Sequence, residues 1–248
     1  MNYNWNWAVF FDTASDGAHT WWQTLVIGLG WTVATAACAF FIALVLGALA
    51  GVARNTPNRW LNSCGSAFVE VFRNIPLLMQ MFLWYFVFPE MLPAALGDQL
   101  KQLPNAQFYT AALCLGCYHG ARMAEVVRAG LESLSKGQRM AGQALGLTLA
   151  QTYAYVLLPV AMRMVTPAVT SELLSCTKNT SVALAIGLIE LTGGARAMQE
   201  NTFQVFEAFS GATLLYLLLN LAVVFFMRGV EKKAALPGFA TGVGREKG

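Results

Sequence analysis

Charge is what this chain has least of: 12% of its 248 residues are Asp, Glu, Lys or Arg, while 56% are hydrophobic. Ordinary soluble domains carry about 25% charged residues, so a water-soluble fold is excluded and an all-α integral membrane protein is expected. The first twenty residues contain no Lys or Arg, but they do hold Asp12 and Asp16. That excludes the basic start of a cleaved signal peptide, and the apolar run that follows is about twice the length of a signal h-region. Histidine is scarce too, with only His19 and His119, so Cys114 and Cys117, although spaced Cys-x-x-Cys, have no ligand set for zinc. Those two and Cys38, Cys64 and Cys176 mostly lie in apolar runs and read as small buried hydrophobes, not as a disulfide framework. The chain also lacks a Gly-x-x-x-x-Gly-Lys-Ser/Thr loop, so any phosphate-cradling apparatus must come from another polypeptide. No catalytic residue, metal, cofactor or nucleic-acid partner is expected.

Four uncharged stretches are present, at residues 21–53, 74–89, 102–121 and 208–227. A spanning helix needs roughly 17 to 25 apolar residues, so the second stretch is expected to belong to a helix that starts earlier, near Ala67. Lys and Arg are retained on the cytoplasmic side of a membrane. Arg54, Arg59 and Arg73 follow the first helix, and Arg128, Lys136, Arg139 and Arg163 surround residues 138–159. Arg228, Lys232, Lys233, Arg245 and Lys247 mark the C-terminal tail. The other two connections carry mostly acid: Glu90 and Asp98 beside Lys101, then Glu190, Glu200 and Glu207 beside Arg196. Five crossings with the N-terminus outside and the C-terminus inside satisfy this charge pattern. The uncharged run 140–162, except for its position in that count, looks like a sixth crossing, but a crossing there would put the basic tail outside. With Gly142, Gln143, Gly146, Thr148, Gln151 and Thr152 inside it, it reads as two short interfacial helices. The fourth crossing is then 160 to about 189, interrupted by Pro167, Glu172 and Lys178. The expected organisation is an external segment 1–20, a membrane domain 21–227 with a cytoplasmic loop at about 132–159, and a cytoplasmic tail 228–248.

That loop carries the most specific signal. In Gln138-Arg139-Met140-Ala141-Gly142-Gln143-Ala144-Leu145-Gly146-Leu147-Thr148, then on to Val156-Leu157-Leu158-Pro159, the glycine-to-proline spacing resembles the coupling loop of ABC-importer permeases. Their pattern is Glu-Ala-Ala, three residues, Gly, nine residues, Ile, one residue, Leu-Pro. Met140-Ala141-Gly142 stands in place of Glu-Ala-Ala, so the charged residue of the pattern is missing here. Gly146 suits a tight bend because glycine enters left-handed geometry without penalty, and Pro159 suits a helix start. The run Glu70-Val71-Phe72-Arg73-Asn74-Ile75-Pro76-Leu77-Leu78-Met79-Gln80 is similar to the second-helix signature of polar amino-acid permeases, Phe-Arg-x-x-Pro-Leu-x-x-Gln. Segments 124–138 and Lys178-Asn179-Thr180-Ser181 with Ile186-Gly187 and Glu190-Leu191 resemble further blocks of the same family. With Asn4-Trp5-Asn6-Trp7 and the tail 231–238, the likeness is strongest to permease subunits of glutamate/aspartate importers.

The resemblance implies the MetI-like permease fold and a bacterial inner-membrane location. It also implies a dimer of permease subunits, homo- or heterodimeric, a pair of ABC ATPase subunits inside, and an external solute-binding protein. The residues expected to seat on the ATPase are Ala141, Gly142, Ala144, Leu145, Gly146, Leu158 and Pro159. Charged residues at membrane depth are costly and mark sites by default, which singles out Arg122, Glu172 and Lys178. Glu172 and Asn179, seven apart, share a helix face with Ser175 and Cys176 between them. That face is expected to take a substrate ammonium at Glu172 and a carboxylate at the Asn179 amide, with Arg122 as a bidentate carboxylate donor and Thr180 and Ser181 beside them. The competing structural reading pairs Arg122 with Glu125, three residues on, or lets it snorkel to the inner interface.

Gly47-x-x-x-Gly51 and Gly116-x-x-x-Gly120 read as helix-packing positions, and Trp21, Trp22 and Trp31 as an external interfacial belt. Two rivals weigh less than the importer. A secondary transporter commonly carries internal repeats, and none is evident. An intramembrane enzyme would need a partner for His119, whose expected fate is neutral packing beside Gly120.

Overall fold

The computed structural model describes residues 3–134 and 136–234, and the regular elements among them are all helices, apart from one isolated bridge between Thr13 and Thr20. The outer tail residues 235–248, with Arg245 and Lys247, lie outside the described residues, as do the side chains of Lys136, Gln138, Arg139 and Gln143. A short 3-10 turn, Trp7–Phe11, leads to α1, Trp21–Asn55. Thr20 starts α1 with a reciprocal cap: its side chain accepts from Gln23 N–H while the Gln23 side chain accepts from Thr20 N–H. Then come α2 (Arg59–Asn74), α3 (Leu77–Met91), α4 (Ala94–Lys101), α5 (Ala106–Glu132), α6 (Lys136–Ala144), α7 (Leu149–Ile186), α8 (Leu191–Thr202) and α9 (Val205–Ala234).

The packing centre is the pair α1 and α5. The two glycine motifs make it possible: a Cβ on Gly47 would lie 2.5 Å from Met123 Cβ, and one on Gly116 would lie 2.6 Å from Ile42 Cγ2. Gly51 approaches the Ala124 carbonyl in the same way, at 2.8 Å. Close backbone contact through small residues substitutes here for the hydrophobic drive that lipid does not provide. Around this pair, α7 packs on α5, α8 packs on α1, and α9 packs on α8 and α7.

The second expected helix is broken, not continuous from Ala67. Between α2 and α3 the axis turns by 102°. Ile75 is extended (φ −92°, ψ 130°) because a residue ahead of proline is excluded from helical geometry. Pro76 offers no N–H to the Phe72 carbonyl, and the Gln80 amide takes over, donating to Phe72 O and Ile75 O at 2.8 Å each. The glutamine four residues after the proline in the sequence signature thus closes the bend.

Prolines also explain two π-turns. Leu83–Val87 precedes Phe88-Pro89, and Tyr153–Leu157 precedes Leu158-Pro159. In each case the proline ring would strike the carbonyl four residues back, and the widened turn relieves it. The second case bears on two expectations. Pro159 lies in the first turn of the α-helical stretch Leu158–Asn179, as expected, although the π-turn Tyr153–Leu157 makes the chain before it helical as well. Two short interfacial helices are not found among the described residues: only α6 stands alone, and the segment from Leu149 runs on through Pro167, Glu172 and Lys178 to Ile186. The third helix also differs, extending to Glu132.

Among the described residues α1, α7 and α9 are long and apolar enough to cross a membrane, and the bent pair α2 and α3 counts as a fourth if it is one span. At 27 residues α5 has the length, but Gln107, His119, Arg122 and Glu125 lower its apolarity.

Candidate functional site

Two features of the fold bear on function, one inside the helix bundle and one at its basic end. The first joins α5 to α7. His119 and Arg122, three residues apart, face α7, where Glu172 and Asn179 share one side as their sevenfold spacing requires. Arg122 Nε donates to both Glu172 oxygens at 3.1 and 3.0 Å, and Nη2 lies 3.0 Å from Oε1. His119 Nδ1 is 3.1 Å from Glu172 Oε2, and its Nε2 is 3.1 Å from Asn179 Nδ2. His119 is fully buried and Glu172 nearly so, while 43% of the Arg122 side chain is exposed. A guanidinium bound to one carboxylate along one edge still has N–H groups on its outer edge.

This geometry revises the sequence reading in three respects. Arg122 does not pair with Glu125; its partner is Glu172, fifty residues away. His119 does more than pack beside Gly120: it links Glu172 to Asn179, and no local spacing announces it, because both partners come from α7. Glu172 has its oxygens occupied by Arg122 and His119. Thr180 is buried and donates to the Thr177 carbonyl at 2.8 Å, and Ser181 donates to the Lys178 carbonyl at 2.8 Å. Lys178 is exposed.

The second feature is the loop 136–159. Helix α6 ends at Ala144, and Leu147 N–H donates back to the Gly142 carbonyl at 3.2 Å across Gly146, which adopts φ 81°. That is the glycine-terminated C-cap in which the left-handed residue turns the chain. Thr148 restarts the chain with a second reciprocal cap, to Gln151. Gly142 is buried against Thr152, where a Cβ would meet Cγ2 at 2.9 Å. Its neighbours Met140, Ala141, Ala144 and Leu145 are exposed, Leu145 by 83%. Leu158 is half-buried and Pro159 is exposed. Met140 and Leu145 are thus apolar side chains that the rest of the chain leaves uncovered.

Beside this loop, three arginines converge on one carboxylate. Arg54 of α1 and Arg73 of α2 reach Glu125 Oε1 at 2.8 and 2.9 Å, and Arg128 reaches Oε2 at 3.1 Å. Glu132 takes the other side of Arg128 at 2.6 Å. The hub ties three helices together at their basic ends. At the opposite end Glu190 is fully buried, caps α8 through Thr192 and Gly193 N–H at 3.0 Å each, and accepts from Tyr216 Oη at 2.7 Å.

Residues 43–236 match the family model described as binding-protein-dependent transport system inner membrane component. The chain belongs to this family. It is therefore a transport-system subunit of the inner membrane. The glutamate/aspartate import permease protein GltJ of Escherichia coli K12 is 41% identical over 241 residues, covering 96% of this chain and 98% of that protein. The glutamine transport system permease protein GlnP of the same organism is 34% identical over 190 residues, 77% of this chain and 83% of that protein. The arginine transport system permease protein ArtQ of Bacillus subtilis is 30% identical over 206 residues, 83% and 90% of the two chains. Among solved structures, an amino acid ABC transporter crystallised with histidines superposes with TM-score 0.72 at 25% identity, covering 86% of this chain and 95% of that one. The MetNI methionine ABC transporter, facing inward, also gives 0.72 at 22% identity, which speaks for the fold.

Proposed function

We propose that this chain is the translocation subunit of an ATP-driven importer of acidic amino acids, glutamate and aspartate. The observation that carries the reading is the 41% identity to a glutamate/aspartate import permease along nearly the whole of both chains. The chemistry agrees with it. An acidic amino acid brings two carboxylates and one ammonium, and the outer edge of Arg122 is a forked donor suited to a carboxylate. In this reading two permease subunits, identical or similar, enclose a cavity onto which Arg122, Asn179 and Lys178 open. Five crossings, counting α5 and the bent pair α2 and α3, put the N-terminal segment outside and residues 228–248 inside, as the basic clusters favour.

The exposed face of α6 and the Gly146 turn then seat on an ABC ATPase subunit, and a solute-binding protein delivers the amino acid on the other side. ATP-driven closure of the ATPase pair rocks the helices between outward and inward states. The experiment is reconstitution with the partner ATPase and binding protein in proteoliposomes, followed by uptake of labelled glutamate, aspartate and glutamine. ATP-dependent uptake led by the two acids is the expected result. Uptake led by glutamine would assign the chain to the glutamine type, and uptake driven by an ion gradient without the ATPase would overturn the coupling.

A further inference from the structure

Resting on that reading of the α5 and α7 cluster, we propose that His119 is a positioning residue. It turns the Asn179 amide so that Oδ1 faces the substrate and supplies an acceptor for the substrate's ammonium group. Glu172 holds Arg122 along both oxygens and, as a carboxylate, can only accept. His119 Nδ1, 3.1 Å from Oε2, must therefore carry a hydrogen. Asn179 Nδ2, 3.1 Å from Nε2, can only donate, so Nε2 is the acceptor and the amide oxygen is turned the other way. Among the described residues no hydrogen bond reaches that oxygen, and it is not among the buried polar atoms left without a partner.

The consequence reverses the roles expected from sequence. With its oxygens committed and 8% of its surface exposed, Glu172 is not the ammonium site. Arg122 supplies donors to carboxylate, and Asn179 Oδ1 supplies the acceptor. A ring protonated at Nε2 would turn the amide over and leave the site with donors alone. The charged groups facing the ring are Glu172 from α7 and, through it, Arg122 from its own helix.

The chain has only two histidines, so His19→Gln leaves one ring to observe when this chain alone is labelled. In the transporter assembled from that labelled chain and unlabelled partners in lipid nanodiscs, 15N NMR of the ring should show a single proton, on Nδ1. A proton on Nε2, alone or with one on Nδ1, would overturn the proposal. The second measurement is KM for glutamate uptake by the complete importer in proteoliposomes. His119→Leu and Asn179→Leu should each raise KM about tenfold, the loss of one charge-assisted hydrogen bond. The double variant should match Asn179→Leu within about twofold, because His119 acts through Asn179. Effects that multiply to about a hundredfold would refute the relay and leave the site reading standing. An unchanged KM in both single variants would remove the cluster from the substrate path altogether.

Discussion

Gln80 donates its side-chain amide to the Phe72 carbonyl at 2.8 Å, across the bend that Pro76 imposes. In an apolar setting an orphaned carbonyl costs several kcal/mol, so this bond and its twin to Ile75 hold a 102° turn that the backbone alone leaves unsatisfied. Gln80→Met keeps the volume and removes both donors. The purified transporter should lose about 1–3 kcal/mol of stability, read as an earlier thermal transition in detergent. An unchanged transition would mean that the bend does not depend on the amide.

The Gly47 contact makes a steric prediction. Gly47→Leu places atoms where Met123 already stands, 2.5 Å from the position of a new Cβ. Overpacking of this kind costs about 1–3 kcal/mol or more. Since α1 and α5 form the centre of the fold, membrane yield and thermal stability should both fall sharply. Gly30, whose Cβ direction is open, should accept Ala without that loss.

Three arginines on Glu125 predict an asymmetric response. Glu125→Gln leaves Arg54, Arg73 and Arg128 facing one another with one fewer negative charge, and should destabilise the assembled complex by about 1–3 kcal/mol. Arg73→Gln removes a half-exposed partner and should cost about 0–1 kcal/mol. Chemical denaturation of the two variants side by side distinguishes them. Equal losses would show that the hub is not organised around the carboxylate.

Arg122→Gln should reduce glutamate and aspartate uptake by about tenfold or more while reducing glutamine uptake less, since a fork to a carboxylate is lost. Competition assays with the three amino acids provide the comparison. Equal loss for all three would mean that Arg122 serves only its ion pair with Glu172.

Much of this was readable from sequence, and the limits have physical causes. Local rules found α1 and α9, the glycine motifs, and the Gly146 turn, because each depends on neighbours within one helix or one bend. The shared face of Glu172 and Asn179 followed from helical periodicity. What escaped was every contact between distant segments: Arg122 with Glu172, His119 between Glu172 and Asn179, and Arg54 and Arg73 on Glu125. No spacing encodes those pairs, so charge at membrane depth pointed to residues without naming their partners. The place of Pro159 in the first turn of Leu158–Asn179 was legible, because proline favours a helix start. The π-turn ahead of it was not: it joins that helix to the segment before it, as Leu83–Val87 does ahead of Pro89.

A variant at the Gly146 turn should separate coupling from folding. No atom lies within 4 Å of a Cβ placed there, yet φ 81° is a conformation that side chains strain to adopt, by roughly 1–2 kcal/mol. Gly146→Asp should leave the protein inserted while abolishing uptake and the stimulation of ATPase activity. Normal stimulation in that variant would deny the turn its role.

In the proposed function, ATP-driven transport requires the exposed end of α6 to seat on an ATPase at the basic side of the membrane. Its most direct test is Leu145→Cys, in a background whose own cysteines are replaced, probed with a membrane-impermeant maleimide. Labelling should occur in inverted vesicles, be absent in right-side-out vesicles, and be blocked when the partner ATPase is bound. Labelling from the outside, or labelling that the ATPase leaves unchanged, would contradict the account.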